Sequence, residues 1–434
     1  MEVISLIGII AGIAFFILCC CKGIQMFLAA LLASVIIIVF SGMPALETLT
    51  GAWASSAGGF ITSYILIFVG GCLYGQTMAA GKGSRSIAVA FANVIRKSKR
   101  NQKFICVMFV PVMYMILTFV GINSFVIVFT VLYTARDLYQ EIDVPWRLYC
   151  YGGACSTATC ILGGSLQLVN IQLSEMYGTP LTAEMGLSIV GFAAFCLVFA
   201  VLAKFDIRKA ERAGETFMDS GAAFANPEIG KKSDEQEDMP SAWYALISMA
   251  AVVVCAVTLH VLAGILIGIL LNLLFFRKYM TDFNDSITTG ITSSFGPALN
   301  AAATVGLSTL VATAPGFQIV TNALSNLSPL YFGPTVIALV TFLTAAPPGA
   351  VSAFGTQILE SMTAAGYSAG VTHRILSASI FACVGPHSPG VVNTTMLARL
   401  AYKKAVPVYL KISLIPGVCS LLVMILCVQF GLFV

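Results

Sequence analysis

The sequence predicts an all-α polytopic membrane protein. It is expected to be two inverted repeats of five spans plus one re-entrant hairpin each, with discontinuous helices at the midplane. Three observations predict this. The chain of 434 residues is 58% hydrophobic and only 10% charged, where a soluble domain carries roughly a quarter charged residues. Apolar stretches near the length of about 20 residues that a span needs follow one another throughout. The longest of them are interrupted part-way by glycine, proline and asparagine, which a helix in hydrocarbon tolerates only where protein or water satisfies the freed backbone.

In chain order, the first-half spans fall at 3–20, 24–40, 60–79, 148–170 and 184–203. Those of the second half fall at 243–258, 261–276, 292–312, 375–397 and 412–432. This divides the chain into a first membrane repeat at 1–203, a linker at 204–242 and a second membrane repeat at 243–434. Met1-Glu2-Val3-Ile4 shows no basic region and no clear cleavage site after the apolar run, so it reads as a retained span. The apolar first two spans of each half suit a homodimer scaffold within membrane lipid.

Two stretches do not fit a single crossing. The run 104–135 is broken by Pro111 and by Gly121-Ile122-Asn123-Ser124, and 330–358 by Pro347-Pro348-Gly349. Each reads as a re-entrant helical hairpin that returns to its own side. Charge tests this. With Met1 outside, 22 of the 23 basic residues, all but Arg374, fall on the cytoplasmic side together with the linker, as the positive-inside tendency requires. A single crossing at 104–135 would turn about half of them outward.

Five crossings per half invert the second half relative to the first. Residue-level matches accompany the inversion. The run 117–124 resembles 340–347, and Arg147 through Cys155 to Asn170 resembles Arg374 through Cys383 to Asn393. Arg374, the basic exception, is the repeat partner of Arg147. The linker 204–242 is polar, with Asp234-Glu235-Gln236-Glu237-Asp238 near its end, and reads as a disordered cytoplasmic tether. The 13 cysteines lie mostly in apolar runs without a CxxC pair, which suits small buried side chains better than a disulfide framework or metal site. A net charge of +4, set by cations near span ends, carries no nucleic-acid signature.

The interruptions are the candidate site. Two hairpin tips and two broken spans entering from opposite sides meet near the midplane. Exposed helix N-termini suit a carboxylate, and exposed carbonyls suit Na⁺. The substrate-binding candidates are Asn123, Ser124, Ser156, Thr157, Thr159, Gly163, Gly164, Ser165, Pro348, Gly349, Ser352, His387, Ser388, Asn393 and Thr394. A Na⁺ ion would lie near Ser156, Thr159, Ser352 and Asn393. His387 is the proton-relay candidate, since no Asp or Glu sits inside an expected span and His387 is the one histidine placed deep. The coupling ion is H⁺ or Na⁺; no other cofactor is implied.

Gly70-Gly71-Cys72-Leu73-Tyr74-Gly75, with Met78, Gly81, Arg85 and Ile87, resembles the third-span signature of the gluconate permease (GntP) family. Pro386-His387-Ser388-Pro389-Gly390-Val391-Val392, followed by Tyr402-Lys403-Lys404-Ala405, resembles a late signature of one branch of it. Ser156-Thr157-Ala158-Thr159 is similar to the Ser-Asn-Thr carboxylate motif of the wider superfamily of ion-coupled organic-anion transporters, without the Asn. Ile122-Asn123-Ser124 stands where members often carry an acidic residue, and His387-Ser388-Pro389-Gly390 where many carry Asn-Asp-Pro-Gly. The resemblance implies a symporter of a small organic anion, such as gluconate or another hydroxy acid, in the cell inner membrane. A passive anion channel and a membrane enzyme acting on a lipid headgroup are the competing classes. An enzyme would need a nucleophile–base pair or metal cluster, and neither HExxH nor paired carboxylates occur.

Overall fold

The computed structural model describes every residue except 84, 85, 88, 89, 91–93, 96, 98–100, 122, 123, 226–238, 281, 320–326, 386, 387, 389, 392, 393, 396, 397 and 434. The described residues form helices and no strand. Several helices are long and apolar enough to cross a membrane, Glu2–Cys21 and Met185–Arg212 among them. The chain is an all-α multi-pass membrane protein.

The first half contributes α1 (Glu2–Cys21), α2 (Met26–Ser41) and α3 (Ala54–Ala80). A hairpin follows, with arms α4 (Gln102–Phe119) and α5 (Ser124–Glu141). Then come an interrupted pair, α6 (Tyr151–Ile161) and α7 (Leu168–Tyr177), and α8 (Met185–Arg212). The second half runs in the same order: α9 (Ala242–Thr258), α10 (Val261–Phe276) and α11 (Phe283–Thr313). Its hairpin arms are α12 (Pro329–Thr344) and α13 (Pro347–Ala364). The segment α14 (Ala369–Ser379) runs into a 3₁₀ turn at Ile380–Cys383, and α15 (Tyr402–Gln429) closes the chain.

Helix starts follow local chemistry. The Gln25 side chain caps α2 through Leu28 N–H at 3.0 Å, and Ser368 caps α14 through Val371 N–H at 3.1 Å. The hairpins turn where the sequence loses its helical options. Gly121 sits at φ +83° and its N–H reaches Thr118 O at 2.9 Å. The second hairpin turns at Ala345, φ +53°, and Pro347-Pro348 open the returning arm instead of forming the tip. Proline suits a first helical turn, whose N–H groups have no intrahelical partner.

Packing pairs the halves. The third helices α3 and α11 pack on each other, as do the last helices α8 and α15. The returning hairpin arm lies on the third helix of its own half, α5 on α3 and α13 on α11. The entering arm lies on the interrupted element of its own half, α4 on α6 and α12 on α14.

Two expectations are corrected. The linker does not begin at 204, because α8 continues to Arg212, and the part up to Ala225 is not a loose tether. Phe217 and Phe224 are buried against Trp146, with ring centroids at 5.8 and 5.7 Å. Glu215 pairs with Arg147 at 2.7 Å. The last helix starts near 402, ten residues before the expected 412, carrying Pro407 and Pro416 within it. Asp206 is buried on α8, paired with Lys411 of α15 and accepting a hydrogen bond from Tyr151 Oη at 2.6 Å.

Candidate functional site

All four interruptions border one cavity of about 270 Å³. Gly121 and Ser124 come from the first hairpin tip, and Ala345 to Pro348 from the second. Leu166 to Val169 come from the first broken span, and Val384, Ser388, Gly390 and Val391 from the second. The helices α3 and α11 close the side with Phe60, Ile67, Phe68, Asn300, Thr304 and Val305. Among the described residues no charged side chain lines this space.

The cavity meets the starts of helices. Leu168 and Val169 form the first turn of α7, whose first N–H groups have no intrahelical acceptor and carry its partial positive charge. Ser124 opens α5, and Gly390-Val391 are helical beyond the second break. The second hairpin contributes the positive end of α13 without donors at its first two positions, because both are proline.

The first break is sealed elsewhere. Gly163 N–H donates to Ser188 Oγ at 2.5 Å, Gly164 N–H to Leu181 O at 2.8 Å and Leu166 N–H to Phe119 O at 2.8 Å. Asn170 Nδ2 holds Ser165 O at 2.5 Å. This is how an unwound segment persists among apolar helices: these freed groups find protein partners.

Of the sequence candidates, Ser124, Thr157, Pro348, Ser388 and Thr394 line the cavity. Gly163, Gly164 and Ser165 do not. They are buried in the sealed break, and the two glycine N–H groups are engaged within the protein, so a ligand carboxylate finds no donors there. Thr159 is buried on Thr118 at 2.9 Å and accepts from Gln167. Gly349 seats α13 on α11, where an added Cβ would lie 2.6 Å from Ser308 Oγ. Ser352 accepts from Gln172 Nε2 at 2.7 Å. Asn123, His387 and Asn393 lie outside the described residues, and Ser156 is described in its backbone alone.

Sequence reasoning missed a buried polar cluster behind the first break. His387 is not the one deep histidine, because His373 on α14 is fully buried, and so is Arg374, expected at the outer face. Arg374 Nη2 donates to Asn170 Oδ1 at 2.7 Å and to Leu181 O at 3.2 Å. His373 Nε2 lies 2.8 Å from the same Asn170 oxygen and 2.7 Å from Arg374 Nη2, and its Nδ1 bonds Thr179 Oγ1 at 2.7 Å. The adjacent His-Arg pair on a helix that opens a broken span was the available signal.

No family model matches the chain. An uncharacterized transporter, YxjC of Bacillus subtilis (strain 168), is 22% identical over 398 residues, spanning 80% of this chain and 82% of that protein. A crystal structure of the YdaH transporter of Alcanivorax borkumensis aligns over 89% of each chain at 13% identity, with a TM-score of 0.46.

Proposed function

We propose that the chain is a secondary active transporter, an H⁺- or Na⁺-coupled symporter of a small organic carboxylate. One observation carries this reading: a cavity bordered by helix interruptions from both halves, free of charged side chains among the described residues. A carboxylate can be held there by helix N-termini and hydroxyls, without the desolvation cost of a fixed cation. The relative named as a transporter supports the class, and the resemblance to gluconate permeases supports the anion.

The two halves are proposed as an inverted repeat, supported by their equal element order and matched packing. Met1 is proposed outside and the linker in the cytoplasm, supported by the distribution of basic residues. Alternating access then follows from moving the hairpins and broken spans against the first three helices of each half.

The test is counterflow. Proteoliposomes preloaded with an unlabelled carboxylate should transiently accumulate the labelled one, which a passive channel or a lipid enzyme does not produce. Repeating it with and without Na⁺, and with an imposed pH gradient, assigns the coupling ion. Absence of counterflow for every small carboxylate removes the carrier reading.

A further inference from the structure

We propose that Asn300 on α11 is a carboxylate-binding residue of the cavity, and that Gln25, at the start of α2, holds its amide in the binding orientation. This rests on the carboxylate reading above and deepens it. It adds a directed donor from a wall, formed by α3 and α11, that holds none of the site residues expected from the sequence.

The two ends of a side-chain amide have nearly the same shape, so its orientation has to come from its partners. Here one partner has a fixed role. A backbone N–H can only donate. Leu28 N–H meets the Gln25 side chain at 3.0 Å, so the atom it meets is Oε1, and Nε2 is the other end. Nε2 in turn can only donate, so the Asn300 atom 3.1 Å away is Oδ1. The two N–H groups on Asn300 Nδ2 are left over, with no acceptor among the described residues. The helix cap of α2 thus sets, through two amides, which end of Asn300 is available to a ligand. Gln25 comes from the first half of the chain and Asn300 from the second, 275 positions away.

Asn300 is half-buried and borders the cavity. On the same wall Phe60, Ile67, Phe68 and Val305 are apolar, and the Thr304 hydroxyl turns back onto Asn300 O at 3.1 Å. A carboxylate is an acceptor at every lone pair, and an N–H pair matches it. Being neutral, the amide needs no counter-charge while the cavity is empty. Leu168 and Val169, at the positive start of α7, border the same space. A ligand that meets both ties a wall helix to a broken span, the two kinds of element that move apart in the alternating access proposed above.

The test uses the full-length chain in nanodiscs, with acetate, butyrate, lactate and gluconate, each beside its own carboxamide. Binding is read from ligand-induced shifts in thermal melting, and counterflow of the same acids is followed in proteoliposomes. Asn300→Ala should weaken the best-binding acid roughly tenfold and its carboxamide much less. Gln25→Glu keeps an oxygen for Leu28 N–H but replaces the donor by an acceptor, so the Asn300 amide must turn over and present Oδ1 to the cavity. The acid should then weaken at least roughly tenfold while the carboxamide, which brings its own N–H groups, holds or gains. A purely structural role would lower both together. Gln25→Glu added to Asn300→Ala should change the acid-to-carboxamide ratio no further. A further fall in that double variant makes the new charge the cause and overturns the orienting role of Gln25. Either single variant supplies the answer should the other unfold. An acid affinity unmoved in the folded variants overturns the proposal and leaves the transporter standing. A wild-type chain that neither binds nor exchanges any of the acids overturns the carboxylate reading, and the proposal with it.

Discussion

The two broken spans begin with the same residue in the same place and treat it in opposite ways. In the first half Trp146-Arg147 precede α6, and in the second His373-Arg374 lie within α14. Each pair reaches across to the chain that follows the other half's break. Trp146 Nε1 donates to Ala398 O at 2.8 Å, and Arg374 Nη2 donates to Asn170 Oδ1 at 2.7 Å. Arg147 remains partly exposed, with the Glu215 carboxylate as partner at 2.7 Å. Arg374 is fully buried, held by amide and carbonyl oxygens, and its Nε and Nη1 have no hydrogen-bond partner. One guanidinium pins a loop onto a helix end; the other is enclosed behind the cavity wall. A buried charge depends on each acceptor it has, whereas a solvated one can exchange its partner for water.

This contrast breaks most decisively at Asn170. Asn170→Ala removes the shorter of the two acceptor contacts of Arg374 and the donor to Ser165 O, and should cost about 3–5 kcal/mol. Thermal unfolding of the purified chain in nanodiscs measures it. Arg374→Met should cost less than Asn170→Ala, because the charge leaves together with its requirement for partners. If both variants melt with the wild type, the buried network is not holding the break.

Trp146→Phe tests the other crossing. It leaves Ala398 O without its indole donor and should cost about 1–2 kcal/mol, read in the same melt. Glu215→Gln should cost at most about 1 kcal/mol, and raised salt should shrink the difference. An effect as large as that of Asn170→Ala would mean that the linker clamps the fold as firmly as the buried cluster does.

The smallest effect concerns pH. Asp219 accepts Thr216 N–H at 2.7 Å and Thr216 Oγ1–H at 2.9 Å, and these bonds hold its carboxyl below the usual range. A depressed folded-state value stabilises the turn above the ordinary carboxylate pKa, and that contribution is lost as pH falls through the lowered one. Pepsin nicking near 214–221 should therefore rise only at strongly acid pH. Asp219→Asn should remove the acid-specific increment.

The interruptions were legible because glycine and proline act locally. Gly121 sets the turn of the first hairpin, and Pro347-Pro348 mark where the returning arm of the second begins, through their own backbone limits. Charge patterning led elsewhere at the last helix. Lys403, Lys404, Lys411 and Pro407 look like a loop, yet all lie on α15. Lys411 is accommodated because Asp206, a residue 205 positions away in sequence, supplies its counter-charge. The docked linker was hidden for the same reason. Phe217 and Phe224 look incidental in a polar stretch until Trp146 is placed beneath them.

Composition, apolar run length and turn chemistry determined by themselves that this chain crosses membranes and where its helices break. Those properties reside in a residue and its immediate neighbours. The tertiary structure decided which broken backbone faces the cavity and which is sealed. Gly163, Gly164 and Leu166 spend their N–H groups on Ser188, Leu181 and Phe119, while Leu168 and Val169 border open space. It also decided which arginine is buried. A hydrogen-bond acceptor brought from the other half of the chain has no local signature.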